Sequence, residues 1–306
     1  MSIIFGPINS RRFGKSLGVD LSPDSKQCNF DCLYCELKSV NVVDKYSKVL
    51  SPNQILETIK GALQEYKDID YLTITANGEP TLYPHLKELI EEINSFKGSI
   101  KTLILSNAST IGSSDIQDTL MLFDSVKLSL DCATKSCFKK IDRASSSVDL
   151  ERIKSGIIDF SKRYRGELLL ETLFVEGIND KEEEVEALNS IFLKVNNLKR
   201  IDIGTIDRPP AFNVKAISYD KLHKLSLGFD KDLPINIASR QSLDGEKYNY
   251  SSDEILQTLS MRPLTQDDIN TLFSDKSKES FSTLLNSNKI ESIKISGIEF
   301  FRTKDL

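Results

Sequence analysis

Six short runs rich in aliphatic and β-branched residues recur along the chain, most of them followed by a stretch with helical spacing, and this alternation constrains the fold more than any other feature. The runs are SLGVDL (16–21), DYLTIT (70–75), IKTLIL (100–105), SVKLSL (125–130), ELLLETLF (167–174) and RIDIGT (200–205). Helical patterns lie between them at 52–66, 83–96, 114–122, 148–164 and 180–195. In the first of these Ile55, Ile59, Ala62, Leu63 and Tyr66 share one face, and Ser51-Pro52 supplies an N-cap and a first-turn proline. Repeated strand–helix units predict a parallel sheet with right-handed crossovers, either open or curved towards a barrel. Polar segments follow three of the strands: TANGEP, SNAS and DCATKSC. Ligands of parallel α/β folds bind at the carboxyl ends of the strands. Those three segments, and the loop after the first strand, are therefore expected to share one mouth.

The pattern changes at DRPPAFN (207–213); a helix at 218–228, a short run PINIAS (234–239) and a polar linker at 240–252 follow. Beyond it, DEILQTLSM, TQDDINTLF and SKESFSTLLNSN read as three helices, with Thr265 and Asp268 as a capping box. IESIKI and IEFFRT read as strands around a Ser296-Gly297 turn. The expected organisation is an α/β domain at 1–239, the linker, and a winged-helix domain at 253–306.

Charge and hydropathy exclude several classes. No apolar stretch reaches the roughly 18 residues of a membrane span, and the amino terminus lacks the order of a signal peptide, so a cytoplasmic protein with no membrane partner is expected. The net charge of −5 gives no global field for nucleic acid. Residues 251–306 hold nine acidic and seven basic side chains, so protein docking or substrate presentation is favoured over DNA for the last domain. Arg11, Arg12 and Lys15 read as a solvated turn or as phosphate contacts.

The loop after the first strand carries the chemistry. Cys28, Cys32 and Cys35 are three of five cysteines and fall within eight residues, which fits a metal site better than a disulfide framework. Soft thiolates select iron–sulfur or zinc. Three ligands on one cubane leave one iron open to bind a substrate. Zinc would need a distant fourth ligand, Cys132 or Cys137, since His85 and His223 have no ligand-like spacing. Cys132 and Cys137 themselves read as two reduced thiols at a loop–helix junction, with an auxiliary cluster, a redox pair or a thiyl radical as alternatives. Arg143 and Arg208 are candidates for meeting an anionic substrate.

The spacing Cys-x3-Cys-x-Tyr34-Cys resembles the signature of the radical S-adenosylmethionine (SAM) superfamily. That resemblance implies a partial (β/α)6 TIM-type barrel and a [4Fe-4S] cluster on Cys28, Cys32 and Cys35. It also implies SAM chelated at the open iron and cleaved reductively to a 5′-deoxyadenosyl radical that abstracts hydrogen from a substrate. Electrons would come from flavodoxin or ferredoxin. Tyr34 would pack near adenine. Gly78 and Glu79, in Asn77-Gly78-Glu79-Pro80, look like the Gly-Glu motif for the SAM amino group, with Asn77 where the usual form has another glycine. Ser106, Asn107, Ser129 and Asp131 look like the polar contacts to the rest of SAM, and Thr172 is a weaker candidate. Segments 6–23 and 205–211 resemble the wyosine tRNA synthase-like Fe–S oxidoreductases. No cysteine precedes Cys28, where true wyosine synthases bind a second cluster, so tRNA modification is not carried over. The rival reading is an Fe–S sensor acting through the last domain. It leaves the Gly-Glu element without a role.

Overall fold

The computed structural model describes residues 2–10, 13–237, 247, 249–261, 263–295 and 298–304. Arg11, Arg12, most of the expected linker and the Ser296-Gly297 turn lie outside them. The elements are, in order, β1 (Ile4–Ser10), β2 (Gly14–Asp20), α1 (Pro52–Glu65), β3 (Tyr71–Thr75), α2 (Leu86–Phe96), β4 (Lys101–Ser106), α3 (Ser114–Leu120) and β5 (Ser125–Ser129). Next come α4 (Lys135–Ile141), α5 (Leu150–Arg163), β6 (Glu167–Phe174), α6 (Glu182–Phe192), β7 (Leu198–Thr205), α7 (Tyr219–Ser226) and β8 (Ile235–Ile237). The chain closes with α8 (Ser252–Met261), β9 (Leu264–Thr265), α9 (Gln266–Leu272), α10 (Asp275–Asn286), β10 (Ile290–Ile295) and β11 (Ile298–Thr303).

Strands β1 to β8 form one sheet in chain order. From β2 to β8 every neighbouring pair is parallel, and β1 runs antiparallel to β2. This mostly parallel α/β sheet is consistent with a partial barrel. Two strands extend the expected six: β1 at one edge, and β8, which occupies part of the 234–239 run. The helix α4, too short to show a periodicity, is also additional.

Alternation along the strands explains the two faces. Leu72, Ile74, Ile104, Val126, Leu128, Leu170, Ile201 and Ile203 are fully buried in one core with Ile55, Ile59, Leu89, Ile157 and Leu188 of the helices. Helix α1 starts as its sequence predicts, with Ser51 accepting from the Gln54 N–H and Pro52 in the first turn. The intervening strand residues line the opposite face, where Leu103 and Leu169 are buried together with polar and charged groups. There the buried Lys127 ammonium pairs with Glu171 and lies 3.8 Å from Asp202, so its charge is not left uncompensated.

The segment from Ser252 onward builds a second core around Ile255, Leu259, Phe273, Phe281 and Phe301. Its strands pair antiparallel in the order β10-β11-β9. The Thr265 capping box is present, with the Thr265 side chain accepting from the Asp268 N–H and Asp268 Oδ2 accepting from the Thr265 N–H at 2.9 Å. No helix among the described residues is long and apolar enough to cross a membrane.

At the amino ends of the strands, Asp124 ties α2, β4 and β5 together. Its Oδ2 accepts from Lys97 Nζ (2.7 Å), the Thr102 N–H (2.8 Å) and Thr102 Oγ1 (3.0 Å). Burial alone would raise this carboxyl, but the bonds from Lys97 and Thr102 outweigh it and hold it below the ordinary range. A carboxylate with a depressed folded-state pKa stabilises the fold above its unfolded value, about 4, and the contribution is lost as pH falls towards the folded value. Asp124→Asn is therefore expected to be less stable than the parent at pH 7. The gap between their urea midpoints should narrow below about pH 4.

Candidate functional site

Between β2 and α1 the chain from Leu21 to Ser51 has neither helix nor strand, so its order comes from individual bonds, to other segments and within the loop. The segment before the first cysteine bridges to the one after β3: the Gln27 N–H donates to Asn77 O (2.8 Å) and the Glu79 N–H to Gln27 O (3.0 Å). Gly78 makes this approach feasible. Its φ is +143°, and a Cβ there would lie 1.8 Å from Gln27 O. The sequence suggests room for a ligand at this glycine; the neighbour that actually requires it is the chain's own cysteine loop. The Gln27 side chain pins the far part of the loop, donating to Ser22 Oγ (2.8 Å) and Lys48 O (2.9 Å) and accepting from the Ser47 (2.7 Å) and Lys48 (3.0 Å) N–H groups.

The cysteine segment is held from the other side by the end of α4. The Leu33 N–H donates to Ile141 O (2.9 Å) and the Asp31 N–H to Asp142 O (3.1 Å), while Cys32 Sγ donates to Asp142 Oδ1 (3.7 Å). Ala211, in the segment after β7, donates its N–H to Cys35 O (2.8 Å). Cys28 is buried, Cys32 and Cys35 are half-buried, and all three are free thiols. Burial pushes the Cys28 thiol up to about 12, and burial likewise raises Cys32, with Asp142 adding to it, and Cys35. Three such thiols on one loop fit a soft cation, whose binding would ionise them.

Glu79 is almost fully buried at the end of β3. Its Oε1 accepts from Thr81 Oγ1 (2.6 Å), the Thr81 N–H (3.0 Å) and Ser106 Oγ (2.7 Å), and its Oε2 from the Asn107 N–H (2.7 Å). Burial raises the carboxyl against the pull of these donors. Oε2, which accepts one bond among the described residues against three on Oε1, is the better placed to receive a ligand cation. Ser106 thus serves Glu79, where the sequence suggests a direct contact to ligand. Asn107 reaches the cysteine loop as well: its Nδ2 donates to Asn29 Oδ1 (3.1 Å) and lies 3.6 Å from Cys28 Sγ.

A narrow crevice brings Phe30 and Tyr34 of the loop against Asn107, Ser129 and Asp131 of the strand ends. Tyr34 OH donates to Asp131, which also accepts from the Leu173 N–H (2.6 Å). Burial lifts Asp131 to about 7 despite those donors, and burial, then Asp131 itself, raises Asp142. The remaining candidates are accounted for by the chain itself. Thr172 Oγ1 donates to Leu130 O (2.8 Å), Arg208 pairs with Glu36 (2.7 Å), and the Arg143 guanidinium stacks 4.7 Å from the Phe212 ring centre. Cys132 and Cys137 are joined in a disulfide across the start of α4, not the two reduced thiols read from sequence. Sequence reasoning missed Gln27, Asn29 and Asp142. They are ordinary polar residues whose role exists only once distant segments meet.

The profile of the radical SAM superfamily matches residues 23–188, more than half of the chain, and the chain belongs to that superfamily. It is 41% identical over 303 residues to a UPF0026 protein of Helicobacter pylori, covering 98% of this chain and 97% of that one. Among solved structures, a radical SAM methyltransferase from Sphaerobacter thermophilus matches with a TM-score of 0.58 at 12% identity, over 74% of this chain and 67% of that one. TYW1 with a lysine-pyruvate adduct bound matches with a TM-score of 0.51 at 18% identity, over 71% and 74%. At such identities the likeness is one of fold.

The contact between Gly78 and Gln27 yields a direct test. Gly78→Ala is expected to destabilise the protein by about 3 kcal/mol, from the forced φ and the clash together, read by urea unfolding. Alkylation of Cys28 under native conditions should become faster in the variant than in the parent.

Proposed function

We propose that this chain is a radical SAM oxidoreductase in which Cys28, Cys32 and Cys35 hold a [4Fe-4S] cluster and the Glu79 carboxylate receives the amino group of SAM. One observation carries the reading: three free thiols on a single loop bonded, backbone to backbone, to the segment that presents a buried glutamate. Membership of the superfamily implies both cofactors. Held by these residues, the pair would supply reductive cleavage of SAM and, through it, hydrogen abstraction from a substrate.

The protein's part is placement. Gly78 lets the cysteine loop lie against the Glu79 segment, and Thr81 and Ser106 hold the Glu79 carboxylate in one orientation. Asn107, Ser129 and Asp131 offer polar contacts to SAM along the strand ends, with Tyr34 set over the same crevice by its bond to Asp131. The loop and the segments after β3, β4 and β5 close around the reacting group and exclude water. Flavodoxin or ferredoxin is the class of electron donor such a site needs. Segments 6–23 and 205–211 support kinship with the wyosine tRNA synthase-like group, and the substrate class extends to RNA or protein.

Two domains are proposed, a barrel over 1–239 and a winged helix over 253–306. The second reading rests on the order α8-β9-α9-α10-β10-β11, with three helices and a terminal antiparallel pair. The acidic balance of this segment supports docking of protein or substrate there. An Fe–S sensor would use the same domain, but it has no need of a buried carboxylate cradled by four donors.

The test is anaerobic reconstitution with iron and sulfide, followed by dithionite and SAM. The parent is expected to release 5′-deoxyadenosine, and Cys32→Ala to fall at least about 100-fold, to background, as expected for loss of a cofactor ligand. DNA binding indifferent to SAM, without 5′-deoxyadenosine, would instead support the sensor.

A further inference from the structure

The function proposed above makes no use of the disulfide between Cys132 and Cys137, yet this bond lies between two grips on the cysteine loop. Just before it, Asp131 accepts from Tyr34 OH of that loop. Beyond it, at the far end of α4, Ile141 O accepts from the Leu33 N–H (2.9 Å) and Asp142 O from the Asp31 N–H (3.1 Å), and Cys32 Sγ donates to Asp142 Oδ1 (3.7 Å). The bond joins the loop after β5 to the first turn of α4, over a Cα–Cα distance of 5.6 Å. Both cysteines are buried in one apolar cluster with Ile141, Val175 and Ile206, against which Tyr34 packs.

The cross-link closes a short ring, with a sequence separation of 5, and the stabilisation from a disulfide shrinks with the ring it closes. The turn inside the ring has supports of its own. Glu184 of α6 accepts from the Ala133 N–H, the Thr134 N–H (3.0 Å) and Thr134 Oγ1 (2.7 Å), and Thr134 Oγ1 accepts from the Cys137 N–H (3.3 Å). The segment therefore keeps its folded shape with the sulfurs joined or apart. What the bond restricts is the freedom gained when the segment opens. Cys28, Cys32 and Cys35 are free thiols in the same structure. A disulfide formed beside thiols that stay reduced belongs with the redox-responsive pairs rather than with structural staples.

We infer that Cys132 and Cys137 form a redox latch on the cysteine loop: joined, they resist opening of the 131–142 segment that grips the loop, and as a dithiol they release that restraint. The oxidant is a low-molecular-weight disulfide. One thiol of the pair attacks it and expels one small thiol; the other attacks the resulting mixed disulfide and expels the second. Two protein thiols are thereby oxidised, two small-molecule thiols appear, and no proton is gained or lost overall. Reduction runs the same steps backwards. Cys137 keeps residual exposure, 6% against 0% for Cys132, and is the sulfur that an incoming thiolate reaches. The inference concerns the chain's own loop and does not depend on a cluster occupying it.

The experiment uses the full chain without oxygen, equilibrated in mixtures of reduced and oxidised glutathione, quenched in acid and mapped by peptide mass spectrometry. The pair is expected to pass reversibly from dithiol to disulfide across the series. Amide hydrogen exchange at Asp31 and Leu33, whose N–H groups bond to the 131–142 segment, should be about tenfold faster with the pair reduced. C132S/C137S should exchange at the rate of the reduced parent at every glutathione ratio. C28S/C32S/C35S, in which only the pair can react, should show the same step as the parent, which separates the latch from oxidation of the loop's own cysteines. A pair that stays in one state across the series, or exchange rates equal in both states, would overturn the inference. So would a dithiol pair holding zinc together with Glu184, whose carboxylate lies within 4.8 Å of both sulfurs. If neither variant folds, the parent decides: a step in exchange that follows the Cys132–Cys137 peptide supports the latch, and one that follows Cys28, Cys32 or Cys35 refutes it.

Discussion

The backbone bonds that clamp the cysteine loop are what the rest of the site depends on. A loop running from Leu21 to Ser51 without regular structure is unusual within a compact fold and needs partners for its N–H and C=O groups. It finds them on several elements. Leu21 donates to Thr75 O (2.9 Å), Gln27 is bridged to Gly78, Leu33 to Ile141, Ser145 donates to Asn29 O (2.8 Å) and Ala211 to Cys35 O. The cysteines are therefore located by β3, α4 and the segment after β7 as well as by bonds within the loop, such as Val43 N–H to Cys28 O (2.8 Å). Displacement of any one of these would reach the sulfurs directly.

The same region concentrates charges that burial makes expensive. Asp20, Glu79, Asp131 and Asp142 are all buried at or near the carboxyl ends of strands, and each is raised by that burial. Asp20 is pushed up to about 6, with one oxygen accepting from the Ser22 (2.8 Å) and Asn77 (2.9 Å) N–H groups. Lys127, Glu171 and Asp202 add a second charged group on the face of the sheet opposite the helices. A fold under selection for stability alone would replace such groups with hydrocarbon. Their accumulation around one mouth is the physical mark of a site whose ionisable groups answer to ligands.

How far the sequence could be read follows from the range of the interactions. The central strands were legible because each buries alternate residues against helices, as Leu72 and Ile74 do in β3. The cysteine spacing and the Asn77-Gly78-Glu79 segment were legible because their chemistry is local. Strand β1 was not: Gly6 and Pro7 interrupt its pattern, and its register shifts between Phe5 and Ile8. Strand β8 is three residues long, and α4 spans two turns at most, too little for a period to emerge. Gln27 and Asp142 act across the fold, on Gly78 and Cys32, and no feature of their neighbours announces this. The pairing of Cys132 with Cys137 likewise depends on how the turn into α4 is folded.

The position of the carboxy-terminal segment then acquires a structural meaning. Strand β1 is an edge strand, and unpaired carbonyls along such an edge are a liability unless something covers them. Tyr250 OH donates to Pro7 O (2.7 Å) and Gln257 Nε2 to Ile4 O (2.9 Å), so two β1 carbonyls are met by side chains of this segment. Tyr66, just past α1, donates to Glu254 Oε1 (3.1 Å) and fastens the same junction from the barrel side. Since β1 pairs with β2, and β2 leads directly into the cysteine loop, the segment is mechanically continuous with the cysteine-bearing end of the sheet. It is thus part of what holds the barrel's first hairpin in place, and any partner it engages would act on the fold next to the strand from which the cysteines depart.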